Sequence, residues 1–157
     1  MKISKKLADF LELEKNLVNA YNLDSLFSKG ISSLSVNDYM TLCDLVIEKI
    51  PNYMSYLTYL PWYFFKDSEI KEISIPKNIK SLKYQSLAYC KNLEKITLTD
   101  QTSSINRATF WGSTNIKDIY YDGNTASFDF ILHDLVDSLN EEAPPEIHFI
   151  GERNENN

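Results

Sequence analysis

The chain has 157 residues, 43% of them hydrophobic and 24% charged, with a net charge of −6 and two cysteines. That is the size of one domain, large enough to bury a core without disulfide staples, and the balance argues against wholesale disorder. Only four glycines are present, and none forms a dinucleotide fingerprint or a P-loop, which argues against a glycine-rich phosphate site.

The N-terminus, MKISKKLADFLELEKNL, starts basic but carries Asp9, Glu12 and Glu14 where a signal peptide needs an unbroken apolar stretch. No apolar run approaches the roughly 18 residues of a membrane span. A cytoplasmic location, in the producing or an infected cell, and no membrane partner are therefore expected. Leu7, Phe10, Leu11, Leu17, Val18 and Tyr21 recur at helical spacing over 5–22. Ser28–Gly30 reads as a break, and Ser35 as the N-cap of a second helix with Tyr39, Leu42, Cys43, Val46 and Ile50 on one face. Pro51 suits the first turn of a shorter third helix through about Tyr59. Were it to continue, Tyr53, Tyr56, Tyr59 and Tyr63 would form one aromatic stripe, read first as a buried junction and second as a contact surface.

From residue 60 the sequence repeats with a period of 23. The columns are Phe64/Leu87/Phe110, Ile70/Leu93/Ile116, Ile73/Ile96/Ile119 and Ile75/Leu98/Tyr121. Phe65/Ala88/Trp111 and Leu82/Ile105 keep the same step, as do the polar sets Asn78/Gln101/Asn124 and Glu69/Asn92/Asn115. A unit of that length cannot bury its own apolar side, so neighbours stack into a solenoid.

Beyond Gly123 the period stops. Phe128, Ile131, Leu132, Leu135, Val136 and Leu139 form an apolar helical stripe over 127–140, with Ser127 as N-cap. Asp129, Asp134, Asp137, Glu141 and Glu142 occupy its other positions. Pro144–Pro145 ends the helix; EIHFIG reads as a short final strand and ERNENN as a disordered tail. Residues 1–117 hold 15 basic and 12 acidic side chains, whereas 118–157 hold 1 and 10, so positive and negative charge are segregated.

The stretch LAYCKNLEKITLTDQTSSINRATFWGSTNIKDIYYDG resembles the BspA-type leucine-rich repeats. Leu87, Cys90, Leu93, Ile96 and Leu98 match one unit, and Ile70, Ile73, Ile75 and Pro76 the one before. IYYDGNT at 119–125 is similar to the segment that ends such arrays, and EIHFIG to the strand that closes them. Asp67 and Ser113 stand where the family has Cys. The resemblance covers about residues 60–150, and because a solenoid needs capped ends the expected chain is α+β: a helical N-terminal cap over 1–59, two to three coils over 60–125, a capping helix and strand over 126–150, and a tail over 151–157. The resemblance also implies a non-enzymatic protein-binding scaffold with no shared catalytic residues.

In such a coil the strand residues between the apolar positions point outward. They stack as Glu72/Lys95/Asp118, Ser74/Thr97/Tyr120 and Pro76/Thr99/Asp122, a flat candidate protein-binding face. The acids Asp129, Asp134 and Asp137 form a second candidate surface. Lys77, Lys80 and Lys83 cluster near Tyr84, with Lys71 and Lys91 nearby, but the acidic chain carries no nucleic-acid motif, so nucleic acid is not the expected partner. His133 and His148 lack any catalytic signature; Asp134 and Asp137 read as a solvated helix face rather than a metal site. Cys43 and Cys90 read as reduced core thiols.

No cofactor and no metal are expected. The partner is expected to be a protein, bound and in one version inhibited. The small size, the lack of a signal-peptide pattern and the Asn-, Ile-, Lys- and Tyr-rich composition suggest a small bacterial, phage or other mobile-element protein; an inhibitor of a host defence system such as an anti-CRISPR is an alternative function. Self-assembly into a homo-oligomer, a structural role, is the other.

Overall fold

The period of 23 appears in space as parallel strand register. The computed structural model describes residues 3–19, 22–139 and 141–151; Tyr21 and the 152–157 tail fall outside these, as do the side chains of Leu17 and Val18. Among the described residues seven strands, β1 (Tyr59–Leu60), β2 (Glu72–Ser74), β3 (Ser81–Leu82), β4 (Lys95–Thr99), β5 (Ser104–Ile105), β6 (Asp118–Asp122) and β7 (Glu146–Phe149), form two parallel sheets. Their orders are β1-β3-β5 and β2-β4-β6-β7. Ile73, Ile96 and Ile119 are partners across β2, β4 and β6, and Leu98 pairs Tyr121, as the columns require. The inward members Ile96, Leu98, Ile119 and Tyr121 join Leu93, Ile75, Leu82 and Ile105 in one core. Each strand pair is too short to stand alone, and the stack supplies the burial.

The first unit departs from the period. Tyr59 pairs Ser81 and Leu60 pairs Leu82, a step of 22. The amides of Tyr63, Phe65 and Asp67 donate to the carbonyls of Tyr84, Ser86 and Ala88, whereas those of Leu87 and Tyr89 donate to Thr109 and Trp111, one residue further along. Phe64 therefore does not stand over Leu87, and the residue over the Cys90 position is not Asp67. That place belongs to Ser68, whose Oγ lies 3.6 Å from Cys90 Sγ. The next member, Ser113, donates from Oγ to Leu87 O at 2.6 Å and accepts from Cys90 N at 2.9 Å. A small side chain with one donor, thiol or hydroxyl, is what this buried column needs. The corner residues Asp67, Tyr89 and Gly112 all take positive φ (62°, 55° and 75°) in the same shifted register.

Helices precede the sheets: α1 (Lys5–Asn19), α2 (Leu23–Ser33) and α3 (Val36–Lys49). Ser35 caps α3 by accepting from Asp38 N, and Tyr39, Leu42, Cys43 and Val46 are its buried face, as the spacing predicts. Ser28–Gly30 is not a break; it lies inside α2. Gly30 is there for packing, because a Cβ would stand 2.9 Å from the Tyr39 ring. The expected third helix shrinks to one 3-10 turn, Tyr53–Tyr56, since Asn52 adopts a left-handed conformation (φ 54°). The tyrosines consequently form no stripe. Tyr59 is in β1 and donates to Asp24 O at 2.8 Å, and Tyr63 sits at a positive-φ corner edge-on to Tyr39 and Tyr84. Asp24 also accepts from Thr58 N and Oγ1, tying α2 to the first unit.

The Tyr39 hydroxyl is buried and has no hydrogen-bond partner among the described residues; burial pushes its pKa far up. Replacing a buried, unpartnered hydroxyl by hydrogen removes a desolvation cost. Tyr39→Phe is expected to raise the unfolding free energy by about 1 kcal/mol in urea titration; a loss of stability would contradict this account.

After β6, α4 (Thr125–Ser138) crosses to β7, which pairs with β6 in parallel. Its N-cap is Asn124, not Ser127: the Asn124 side chain accepts from Ser127 N at 2.9 Å and from Ser127 Oγ at 3.0 Å. The buried stripe is Phe128, Ile131, Leu135 and Ser138, narrower than expected; Leu132 and Val136 are exposed, as is Phe130. Ser138 Oγ accepts from Phe110 N, and Phe128 packs edge-on to Tyr121 and Phe149. No helix among the described residues is long and apolar enough to cross a membrane.

Candidate functional site

Alternation along β2, β4, β6 and β7 sends every second side chain outward. Strand register converts these into two rows running across the larger sheet. One is Glu72–Lys95–Asp118–Glu146, the other Ser74–Thr97–Tyr120–His148. The rows lie against each other through side-chain contacts between strands. Lys95 Nζ sits 4.7 Å from the centroid of the Tyr120 ring, a cation–π approach. Tyr120 stacks on the His148 imidazole, with centroids 4.5 Å apart and planes inclined by 17°. His148 Nε2 lies 2.8 Å from Asp118 Oδ1.

Glu72, Ser74, Lys95, Thr97, Asp118 and Tyr120 thus stand together on one face, as do Glu146 and His148, which the sequence reading did not place there. Thr99 is a correction. It is 6% exposed, and its Oγ1 accepts from Gln101 N, so it offers a partner almost nothing. Asp122 remains partly exposed at the strand end. No sequence pattern puts Glu146 and His148 on this face, because β7 follows a helix and carries no period. Its step from Asp118 to Glu146 is 28 residues.

Asp129, Asp134 and Asp137 do not join this face. Phe128 of α4 packs on Tyr121, which points to the opposite side of β6 from Tyr120. The acids therefore belong to a second surface. Asp137 Oδ2 is 3.6 Å from Arg107 Nε, which offsets part of its charge, and 3.6 Å from His133 Nε2.

The lysine group does not form an open cationic grid. Lys83 Nζ lies over the rings of Tyr59 and Trp62 at 5.2 and 5.9 Å. Lys80 Nζ is held by Lys77 O and the Gln101 side chain at 3.1 and 2.9 Å. Cys43 and Cys90 are free and buried. Burial pushes both thiols up in pKa, Cys43 well above its ordinary value, so neither is an activated nucleophile.

The model of the BspA type Leucine rich repeat region matches residues 25–133, in 6 copies. The matched stretch begins inside α2 and takes in α3 as well as the sheets up to α4. No curated protein matches the chain, and no solved structure does.

Proposed function

The chain belongs to the BspA-type leucine-rich-repeat family, and on that premise we propose that it binds a partner protein through the outward face of the β2-β4-β6-β7 sheet. Leucine-rich repeats are generally protein-interaction modules. The observation that carries the reading is the Lys95–Tyr120–His148 stack, a cation and two rings held across three strands on an accessible face. Tyr is among the side chains enriched where proteins meet. In this reading α1–α3 cap the first unit and α4 with β7 the last, which leaves the sheet face as the surface free for a partner.

The test uses the immobilised chain and extract of the cell that makes it. Lys95→Glu combined with Tyr120→Ala is expected to lower retention of the partner at least about tenfold, as loss of a central contact does. Asp129→Lys with Asp134→Lys is expected to leave it unchanged. Equal retention by all three proteins would end the sheet-face proposal. Loss only with the aspartate changes would transfer binding to α4.

That second outcome is what an inhibitor of a host defence enzyme would require, with the acids of α4 occupying a basic site. The exposed Phe130 on the same helix favours α4 as a contact; the pairing of Asp137 with Arg107 disfavours charge mimicry as its means. Self-assembly is separated by light scattering: a mass independent of concentration removes it.

A further inference from the structure

The charged row has one irregularity. In Glu72–Lys95–Asp118–Glu146 the sign alternates over three strands and then repeats. Asp118 and Glu146 are registered neighbours on β6 and β7, and like charges directly opposite destabilise a sheet. His148, two residues beyond Glu146 on the same side of β7, brings Nε2 to 2.8 Å from Asp118 Oδ1. One donor atom from each of the three lies within 4.8 Å of the others.

This grouping is set by rigid elements rather than by a loop. Backbone pairing of β6 with β7 sets Asp118 and Glu146 side by side, and the Tyr120 ring stacked on the imidazole holds its orientation. Orientation of a histidine by its neighbours is what makes it an effective ligand.

We propose that Asp118, Glu146 and His148 bind one divalent transition-metal ion, with zinc the best match. An imidazole with two carboxylates suits zinc and its neighbours, whereas magnesium and calcium prefer oxygen alone. Three protein ligands with a fourth position open is the arrangement of an accessible zinc site. Donors bound at about 2.0–2.1 Å to a tetrahedral ion stand about 3.3 Å apart. The donors lie within 4.8 Å of one another, and Glu146, exposed at the rim of the sheet, is the one whose side chain has to turn to close that distance. The ion would also neutralise the repeated charge that the row leaves uncompensated.

Calorimetric titration of the full chain with zinc chloride, with magnesium chloride in parallel, tests the site. Saturable binding of one zinc per chain and none of magnesium is expected. His148→Ala and Glu146→Gln should each weaken it more than about tenfold, at least the loss seen for outer-shell partners. His133→Ala, which removes the only other histidine, should leave it unchanged. Cobalt(II) bound in place of zinc should give visible absorption that the His148→Ala chain lacks.

The proposal is overturned by absence of saturable binding, by equal affinity for magnesium, or by loss of binding in His133→Ala instead, which would mark an adventitious ion on α4. Should His148→Ala not fold by circular dichroism, Glu146→Gln, at an exposed position, decides the question alone. Partner retention by a Glu146→Gln chain is a separate measurement, so failure of either proposal leaves the other standing.

Discussion

Ile119→Ala is expected to cost about 3–5 kcal/mol of unfolding free energy, the upper part of the range for truncating a buried isoleucine. Ile119 is fully buried in β6, a strand with neighbours on both sides. It is registered with Ile96 on β4 and Ile147 on β7. A site collapses around a lost side chain only if its walls can move. Here the walls are backbone ladders that would have to break to do so. Urea titration should show the midpoint falling with the slope unchanged. A loss below about 1 kcal/mol would mean that the stack relaxes far more easily than parallel pairing implies.

Gly30→Leu is expected to cost about 2–3 kcal/mol, the upper end for overpacking a filled core. Glycine inside a helix normally concedes about 1 kcal/mol to alanine, so its presence in the interior of α2 needs a reason. The reason is Tyr39, whose ring carbons would stand 2.9 and 3.0 Å from an added Cβ. That ring is 1% exposed and is met edge-on by Phe27 and Tyr63, so it has nowhere to turn. Pairing Gly30→Leu with Tyr39→Ala should recover part of the loss, because the two changes share one volume. Simple additivity of the two costs would show that the ring is not the obstacle.

These two positions mark the border of what the sequence discloses. Ile119 was legible because one side chain type recurs at a fixed step, and parallel register turns that step into contact. The same logic gave the outward rows through Asp118 and Tyr120. It failed where the step changes without changing the chemistry. Phe64 and Phe65 are adjacent and alike, so a column shifted by one residue looks equally good, and it takes backbone pairing, such as that of Leu60 with Leu82, to show the shorter step. Gly30 was read by its helix propensity alone, since the residue it accommodates is nine positions away and on another helix. Asn124 went unseen as a cap because its period had already assigned it to a polar column. Glu146 and His148 belong to no period, so nothing local announced that they would stand beside Asp118 and Tyr120.

The number of strands in the larger sheet has a consequence for the strength of any complex. Four strands at about 4.8 Å spacing set β2 and β7 roughly 14 Å apart, and five residues of strand extend about 16 Å. The flat patch so outlined covers on the order of 200–250 Å², well under the roughly 800 Å² that each partner contributes to a stable interface of standard size. A ligand confined to this patch would come and go quickly. A long-lived one has to wrap past the β2 or β7 border, and each added repeat would widen the platform by only one strand. Small arrays of this design therefore favour brief encounters unless their flanking helices are recruited into the grip.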